Sequence, residues 1–480
     1  MPARTGAQLL SGLKDDREIW VGEERVRDVA THPAFEGAAK GLAAVFDLQH
    51  EAAADCLFPD PETGEPINVS HMAPRSRADI AHRHRGLRRI AEHTVGVMGR
   101  TPDYMNVTYA GFAACIHEWA EHGNEAGAAR LVEYQKFLRR RDICLTHTLI
   151  HPTNDKSKGE LPRLDDDVIL RKVGETAHGI VVRGARILAT LAPFADELAV
   201  YPGRPLPEDG APFALSFCIP MATPGLRFIC RDSFAGSRNR FDHPLSSRFD
   251  EQDAFVIFDD VEVPRDRVFI DGDVKTYNTV MTRSWHPNVM QQTMVRAQTK
   301  LEFAWGMAAA MADSIGDASP ATQQMLGEMW SYSRLAEAAI QAAEANPGEW
   351  GNGTLFPDGE PLWALRASVP FWMPKVNEFI KLIGSHNLLA TPTWHMMQDQ
   401  RLRPLIDRYL RGAKGFDAER RVRLFRLAWD YAGSALGTRG ELYERFYLTS
   451  GARNQQRAHQ NAPRDRARAM VDRFLNEPVD

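Results

Sequence analysis

The order of helix-like and strand-like segments constrains the fold of this 480-residue chain more than any single motif does. Up to about residue 145, apolar residues recur at spacings of three and four, most clearly in residues 38–48 and 80–98. This spacing is typical of amphipathic helices. A polar insert with several prolines at residues 58–66 interrupts the pattern and predicts a surface loop.

The pattern of apolar residues changes in the middle of the chain. Short β-branched runs between turn residues predict strands in residues 168–173, 180–187, 213–219 and 254–258. Helical periodicity then predicts helices in residues 289–315, 321–345, 376–389 and 418–436. This order differs from the alternating order of a doubly wound nucleotide domain. The sequence therefore predicts a mainly α fold with an N-terminal helical domain (1–152), a middle β domain (153–272) and a C-terminal helical bundle with a tail (273–480).

Composition and simple sequence signals narrow the function. The formal net charge of −5 with 25% charged residues lacks the basic excess of a nucleic-acid-binding protein. No apolar run is long enough to cross a membrane and the N-terminus lacks a signal-peptide core, so we expect a cytoplasmic protein without a membrane partner. Five scattered cysteines without a Cys-x-x-Cys pair predict free thiols and no metal site. No Gly-x-Gly-x-x-Gly run follows a predicted strand, so a Rossmann NAD site is not expected.

Three stretches concentrate polar, aromatic and turn-forming residues between the apolar segments, and we predict that they form one active site. They are residues 100–106, 146–156 and 190–197. A site built from such stretches could hold an aromatic ring, because cofactor and substrate pockets combine apolar walls with a few directed polar groups.

Arg100, Tyr104 and His147 supply a fixed cation, a phenol and an imidazole to this site. Arginine stays charged at any working pH and a phenol makes a directed hydrogen bond, so Arg100 and Tyr104 suit an anionic aromatic ligand. A histidine such as His147 can accept a proton near neutral pH. Pro102 predicts a loop between Arg100 and Tyr104 and a preceding helix that ends near Gly99. The alternative role for Arg100 is to cap that helix, and spacing alone does not decide between the two.

The chain resembles the 4-hydroxyphenylacetate 3-hydroxylase family, the large oxygenase components of two-component aromatic monooxygenases that use reduced FAD. Besides the three stretches, the resemblance rests on residues 4–10, 31–35, 99–107, 241–251, 258–264 and 441–447, and it covers nearly the whole chain. It implies an acyl-CoA-dehydrogenase-like fold with a β-barrel-like middle domain, usually assembled as a homotetramer. It also implies that a separate NAD(P)H-dependent flavin reductase supplies FADH2, with O2 as co-substrate.

The resemblance further implies the chemistry of the site. Arg100, Tyr104 and His147 are expected to hold the phenolic oxygen of the substrate beside the flavin, whose C4a-hydroperoxide transfers oxygen to the ring carbon ortho to the hydroxyl. His147 would accept the proton of the phenol and Arg100 would stabilise the phenolate, because an electron-rich ring reacts faster with an electrophilic oxygen. Tyr104 would orient the phenolic oxygen.

The remaining contacts follow from the same resemblance. A Pro- and Gly-rich excursion corresponds to a loop that covers the substrate, so Tyr201, Pro202 and Gly203 are expected to touch it. The expected flavin contacts are His147, Thr148, Leu149, Thr153, Asn154, Asp155, Lys156 and Thr190, followed by Gly437, Thr438, Arg439, Gly440 and Glu441. The last five follow a long predicted helix and are expected to reach the flavin of a neighbouring subunit; the alternative there is a helix C-cap at Gly437 or Gly440. Residues 153–156 and Gly440 depart from the commoner residues of the family, which leaves the identity of the phenol open.

Other functions fit the sequence less well. On the same scaffold the alternative is oxidative removal of a halogen or nitro group from a phenol. A radical dehydratase similar to 4-hydroxybutyryl-CoA dehydratase would need cysteine ligands for an iron–sulfur cluster, where this chain has Arg100 and Tyr104. A non-oxygenase flavoprotein of the acyl-CoA-dehydrogenase type would need a catalytic carboxylate near the flavin, and a flavin-free binding protein would have no use for the three site residues. His117 and His122 are spaced by five residues rather than the four of a zinc-protease helix.

Overall fold

The structure is a computed structural model of the chain, and it describes residues 3–152, 157, 168–235, 239–283, 286–446 and 449–477. Four of the expected flavin contacts, Thr153, Asn154, Asp155 and Lys156, lie outside the described residues. Within the described ranges, no helix combines the length and the apolarity that crossing a bilayer requires.

The N-terminal region is built mainly of helices. They are α1 (Gly6–Gly12), α2 (Glu36–Glu51), α3 (Ala53–Cys56), α4 (Arg77–His93), α5 (Pro102–Ala114), α6 (Ile116–Ala120) and α7 (Glu125–Arg141). The region also contributes short strands, β1 (Glu18–Val21), β2 (Glu24–Val26), β3 (Leu57–Pro59), β4 (Pro66–Asn68) and β5 (Leu145–Thr148). The periodicity predicted the long helices and missed these strands, because segments of three or four residues are too short to show a period. The insert at residues 58–66, predicted as a loop, is the turn of the β3–β4 hairpin with its flanking residues.

The described residues of the middle region form strands, one short α-helix and a few 3-10 turns. The strands and the α-helix are β6 (Arg171–Glu175), β7 (Gly179–Thr190), β8 (Glu197–Val200), β9 (Leu215–Pro220), β10 (Leu226–Cys230), α8 (Ser246–Phe249), β11 (Asp253–Pro264) and β12 (Val268–Asp271). The larger sheet has the order β2-β1-β10-β11-β7-β6, and a second sheet has the order β12-β9-β8-β5. Strands β1, β2 and β5 of the N-terminal region therefore join the two sheets of the middle region.

The C-terminal region is again helical. Its elements are α9 (Val274–Thr282), α10 (His286–Ile315), α11 (Pro320–Ala345), β13 (Gly348–Glu349), β14 (Leu355–Phe356), α12 (Gly359–Gly384), α13 (His386–Leu389), α14 (Trp394–Gln398), α15 (Arg403–Tyr409), α16 (Ala418–Ala432), α17 (Ala435–Phe446), α18 (Gly451–Asn461) and α19 (Asp465–Leu475). Helix α10 packs against α4, α5, α11, α12 and α16. Helices, sheets and helices in this order confirm the predicted acyl-CoA-dehydrogenase-like fold.

Two predicted helices of the bundle have different limits. The helix predicted at residues 376–389 begins much earlier, at Gly359, and contains Pro370 and Pro374. A proline inside a helix costs a backbone hydrogen bond, and burial of residues such as Val369, Met373 and Val376 against the bundle offsets that cost. The helix predicted at residues 418–436 is two helices, because α16 ends before Gly433 and α17 begins at Ala435.

Strand pairing positions the predicted site residues. Strands β5 and β8 are parallel, with His147 opposite Ala199 and Thr148 opposite Val200, so the chain that leaves β8 at Tyr201 runs beside His147. Strands β7 and β11 are antiparallel, with Thr190 opposite Asp253. The Thr146 hydroxyl donates to the carbonyl oxygen of Thr190, so the second and third predicted stretches meet where β5 and β7 of the two sheets approach each other.

Candidate active site

Arg100 is half-buried in the segment between α4 and α5. Its backbone N–H donates to Glu251 Oε2 at 2.9 Å, and its Nη1 donates to the Tyr443 hydroxyl at 2.6 Å. Its Cζ lies 4.1 Å from the centroid of the Tyr104 ring, within the range of a cation–π contact. These contacts hold the guanidinium between the Tyr443 hydroxyl and the Tyr104 ring.

Tyr104 lies in the first turn of α5, so the predicted loop between Arg100 and Tyr104 is wrong. Pro102 begins this helix, where the missing N–H of proline leaves no extra donor unsatisfied. The preceding helix ends at His93 with Thr94 as its C-cap, well before Gly99. Arg100 therefore does not cap that helix, and the capping alternative is also wrong.

Tyr104, His147 and Tyr201 form a packed aromatic cluster. The ring centroids of Tyr104 and His147 are 5.4 Å apart and nearly stacked, and those of His147 and Tyr201 are 5.5 Å apart. All three side chains are buried. The structure thus brings the predicted cation, phenol and imidazole together, with Tyr201 of the covering loop against them.

The surroundings of His147 favour its neutral imidazole. Burial lowers its pKa well below the usual value, and the nearby charge of Arg100 lowers it further. His147 Nδ1 and Thr148 Oγ1 are both buried and have no hydrogen-bond partner among the described residues. Buried polar atoms are nearly always paired in folded proteins, so these two atoms are available to a ligand.

Thr190 is the last residue of β7, and hydrogen bonds and strained neighbouring backbone hold it in place. Its hydroxyl donates to Asp253 Oδ1 at 2.8 Å, and its carbonyl oxygen accepts from the Thr146 hydroxyl. Leu191 and Gln252 adopt φ angles of 74° and 54°, which side chains other than glycine rarely adopt. Such strain persists only where the surroundings enforce it, which is common at functional sites.

Helix α17 brings Arg439 and Tyr443 to the site on one helical face, since residues four apart are neighbours on a helix. Arg439 Nε donates to Asp253 Oδ2 at 2.8 Å, and its Nη1 donates to Glu251 Oε1 at 2.6 Å. Burial alone would raise the pKa of Asp253, but the charge of Arg439 holds that pKa far below its usual value. Glu251 also accepts the backbone N–H of Gly99 at 2.9 Å. This ionic network joins α17, β11 and the segment that carries Arg100.

The other members of the predicted flavin segment lie differently. Gly437 and Gly440 are inside α17, so the C-cap alternative is wrong. Thr438 is exposed, and Glu441 accepts from Arg445 at 2.8 Å on the same helix. Arg439 reaches the site within its own chain, and a flavin role for this segment stays a prediction.

The chain after β8 closes over the end of β5. Pro202 is buried, the N–H of Gly203 donates to the Tyr277 hydroxyl at 3.2 Å, and a Cβ added to Gly203 would lie 2.9 Å from the carbonyl oxygen of Leu149. That carbonyl oxygen accepts from Arg186 Nη1 at 2.6 Å. The predicted loop residues therefore pack directly on a predicted flavin contact.

Glu251, Asp253 and Tyr443 had no predicted role. The only sequence signal was their position, since Glu251 ends the family-like run at residues 241–251 and Tyr443 lies within residues 441–447. The contacts that tie them to the site join distant parts of the chain, 151 residues apart for Arg100 and Glu251 and 186 for Arg439 and Asp253, so no local pattern could reveal them.

Two further features of the described residues bear on the site. No group of three or more His, Cys, Asp or Glu side chains in the described ranges could hold a metal ion. A cavity of about 550 Å³ is lined by residues such as His93, Arg248, Phe303 and Leu427, and by none of the predicted site residues. We assign the site by its buried polar groups, because this cavity lies apart from them.

Gly99 offers a test of how closely Tyr443 must approach Arg100. A Cβ at residue 99 would overlap the Tyr443 ring, so we expect Gly99→Ala to displace Tyr443 and to destabilise the protein by about 1–3 kcal/mol. The control is Gly306→Ala, because nothing lies within 4 Å of its added Cβ and alanine favours the interior of α10. Thermal unfolding of both variants measures the difference, and equal midpoints would contradict the close approach.

Comparison with known proteins gives consistent matches. The N-terminal and C-terminal models of the 4-hydroxyphenylacetate 3-hydroxylase family match residues 5–270 and 277–476. The chain is 35% identical to a 4-hydroxyphenylacetate 3-monooxygenase oxygenase component of Thermus thermophilus, over 99% of this chain and 98% of the relative. It is 30% identical to the oxygenase component of a 4-nitrophenol 2-monooxygenase of Rhodococcus sp., over 92% of this chain and 85% of the relative. A crystal structure of a 4-hydroxyphenylacetate 3-monooxygenase oxygenase component with FAD and 4-hydroxyphenylacetate superposes with a TM-score of 0.93, at 34% identity and 98% coverage of both chains.

Proposed function

The chain belongs to the 4-hydroxyphenylacetate 3-hydroxylase family, and we propose that it is the oxygenase component of a two-component monooxygenase that uses FADH2 and O2 to hydroxylate a phenol ortho to its hydroxyl. The observation that carries the proposal is the buried cluster of Arg100, Tyr104 and His147. A related structure that contains FAD and 4-hydroxyphenylacetate supports the cofactor and the substrate class.

The described residues fit a flavin. Its ring carries hydrogen-bond donors and acceptors along one edge, and His147 Nδ1 and Thr148 Oγ1 are buried polar atoms without partners among the described residues. We infer that His147, Thr148 and Leu149 at the end of β5, together with Thr190, would hold the flavin, with Arg439 as a more distant contact. When bound, reduced flavin supplies the electrons that activate O2 for transfer to the ring.

Arg100 and His147 would act on the phenolic oxygen. The lowered pKa of His147 favours the neutral imidazole, which can accept a hydrogen bond from the phenol, and transfer of the proton to it would depend on Arg100 stabilising the phenolate that forms. Arg100 would stabilise the negative charge that remains on the oxygen, and that charge increases the electron density of the ortho carbon. Removing one such preorganised donor typically costs about 10²–10³ in rate. Tyr104 would orient the oxygen.

Burial of the site would limit side reactions. Tyr201 is fully buried against His147, and Pro202 continues the cover. Exclusion of water strengthens the interaction of Arg100 with a phenolate and protects activated oxygen from loss to solvent. The covering loop would therefore contribute to catalysis by excluding water, in addition to its contact with the substrate.

The proposal includes two partners. A separate NAD(P)H-dependent flavin reductase would supply FADH2 by diffusion, which agrees with the missing Gly-x-Gly-x-x-Gly run and with the oxygenase-component names of the relatives. The second partner is the chain itself, in a homotetramer.

A second candidate has one specific observation in its favour. The similarity to a 4-nitrophenol 2-monooxygenase oxygenase component suggests a nitro- or halophenol substrate for the same site. The Arg100 and His147 roles would be the same, because both reactions need an electron-rich ring carbon.

An oxygen-consumption assay tests the proposed function. The purified protein, a generic flavin reductase, NADH and FAD would be supplied with a panel of phenols, and products would be identified by mass. We expect a product one oxygen atom heavier and hydroxylated ortho to the phenolic oxygen, or loss of nitrite or halide for the second candidate. Oxygen uptake no faster than with reductase alone, and no phenolic product, would reject both candidates.

A further inference from the structure

Helix α17 brings Tyr443 against Arg100, although the two residues are 343 positions apart in the chain. The Tyr443 hydroxyl accepts from Arg100 Nη1 at 2.6 Å, and Arg100 Cζ lies 5.5 Å from the centroid of the Tyr443 ring. A hydrogen bond donated by a cation is shorter and stronger than one between neutral groups. The contact with Tyr443 therefore restricts the directions in which the Arg100 guanidinium can point.

Tyr443 is itself held in place by Arg439, one turn earlier on α17. Arg439 Cζ lies 4.5 Å from the centroid of the Tyr443 ring, within the range of a cation–π contact. Arg439 is anchored in turn, because its Nε donates to Asp253 of β11 and its Nη1 donates to Glu251. The position of the Tyr443 ring is thus set by ion pairs between α17 and the middle region.

The backbone of Arg100 is held by the same ion pairs. Glu251 is 1% exposed, and its carboxylate accepts the backbone N–H groups of Gly99 and Arg100, each at 2.9 Å. Gly99 has no side chain, which lets the Tyr443 ring lie directly against this segment. Both the backbone and the guanidinium of Arg100 are therefore held by contacts that lead to α17.

We propose that Tyr443 is a positioning residue, which directs the Arg100 guanidinium at the phenolic oxygen of the substrate and so sets how strongly the site favours the phenolate. The inference rests on the proposed function and assigns a role to a residue for which no contact with phenol or flavin is expected. An arginine side chain has several rotatable bonds, and a donor stabilises a developing charge well only when its direction is fixed beforehand. Because Tyr443 acts through Arg100, its hydroxyl should matter only where Arg100 is present.

Tyr443→Phe is the main test variant, because it removes the hydroxyl alone. The ring keeps its contacts with both guanidinium groups, so the fold should be retained. Tyr332→Phe is the matched control. The Tyr332 hydroxyl donates to Glu328 and its ring stacks on Trp372, and α11, which carries Tyr332, contributes none of the predicted site residues.

The direct readout is the ionisation of a bound phenol. The probe is 4-nitrophenol, whose phenolate absorbs visible light, and the absorbance of the bound probe would be followed across a pH series. Tyr104, His147 and Glu251 surround Arg100 in the wild type and in the variant alike, so the difference between the two proteins isolates the hydroxyl. The second readout is kcat and KM for product formation with reduced FAD and the phenol that the protein turns over.

We expect the pH at which half of the bound 4-nitrophenol is ionised to be higher by about one in Tyr443→Phe, which equals a tenfold weaker preference for the phenolate. The kcat of Tyr443→Phe should fall by about tenfold while KM changes by less than about threefold, because the hydroxyl acts on charge that develops during the reaction. Tyr332→Phe should match the wild type in every measurement. A variant that only disturbed packing would leave the ionisation of the probe unchanged.

The double variant of Arg100→Ala with Tyr443→Phe tests whether Tyr443 acts through Arg100. We expect it to match Arg100→Ala within about twofold, because two groups that act as one unit are not additive. A further tenfold loss in the double variant would overturn the inference, and so would a Tyr443→Phe variant within about twofold of the wild type in all measurements. Wild-type protein that neither binds 4-nitrophenol nor forms product from any phenol would instead reject the proposed function.

Discussion

Arg100→Ala is expected to lower the rate of coupled hydroxylation by about 10²–10³, the usual loss when a preorganised donor to a developing oxyanion is removed. The guanidinium is held by Tyr443 and by the Tyr104 ring, so it is already aimed before substrate binds. Arg100→Lys keeps the charge but cannot reproduce the planar fork, and we expect it to recover only part of the rate. The measurement is single-turnover product formation with reduced FAD.

His147→Ala should lower the same rate by about 10²–10⁴, because it removes the proton acceptor. The pH profile separates this role from a structural one. Burial and Arg100 lower the pKa of His147, so we expect the wild-type imidazole to stay neutral as the pH falls through 6.5. The pH profile of the wild-type rate should therefore show no decline near 6.5, the pKa of an ordinary histidine. In Arg100→Ala the pKa of His147 should rise, because one nearby positive charge is gone. The rate should therefore begin to fall at a higher pH than it does in the wild type.

The control for both variants is Arg85→Ala. Arg85 is an exposed arginine paired with Asp55, away from the site, and its removal should leave the rate unchanged. Substrate-independent oxygen uptake should persist in Arg100→Ala, whose proposed flavin contacts are all intact, and should be lower in His147→Ala, which keeps Thr148, Leu149 and Thr190 but loses one proposed contact. Wild-type rates of product formation in both variants would contradict the assigned roles.

The sequence predicted the order of the fold because periodicity is local. A helix such as α2 or α4 reveals its buried face within a few turns, and a strand such as β7 reveals itself by β-branched residues. Pro102 shows the limit of local reading, because the same residue that ends one helical pattern can occupy the first position of the next helix. Only the backbone geometry distinguishes the two cases.

The candidate site was predicted in part for the same reason. Arg100, Tyr104 and His147 lie in short stretches of sequence whose residue types alone suggest a ligand-binding site. The role of Glu251, by contrast, becomes visible only through Arg439, which lies 188 residues further along the chain. Pairing over that distance depends on how β11 and α17 pack, and one sequence carries no local signal of it.

Buried ionic pairs of this kind also hold the bundle to the site, and one of them is centred on Glu444. Its Oε1 accepts from Arg296 Nη1 at 2.7 Å and from Lys300 Nζ at 2.9 Å, and all three side chains are buried. Arg296 Nη1 also donates to the carbonyl oxygen of Gly96, just before the segment that carries Arg100. The triad therefore links α10 and α17 to the active-site segment.

We expect Glu444→Gln to destabilise the protein by about 3–5 kcal/mol, because it leaves two buried cations without their carboxylate. Glu441→Gln, on the same helix, is the matched control and should cost less than about 1 kcal/mol, since its partner Arg445 is exposed. Urea unfolding followed by circular dichroism at neutral pH measures both. Equal losses for the two variants would contradict a special role for the triad.

The acid stability of the same two proteins tests the charge of Glu444 directly. Burial opposes ionisation, but Arg296 and Lys300 lower the pKa of Glu444 from 4.5 to about 2. A carboxyl whose pKa is depressed on folding contributes its stability fully above the unfolded pKa and loses it as pH falls towards the folded pKa. The wild type should therefore lose stability between pH 4.5 and about 2 more steeply than Glu444→Gln, whose amide does not titrate. Parallel curves for wild type and variant across that window would mean that Glu444 is not the ionised centre of the triad.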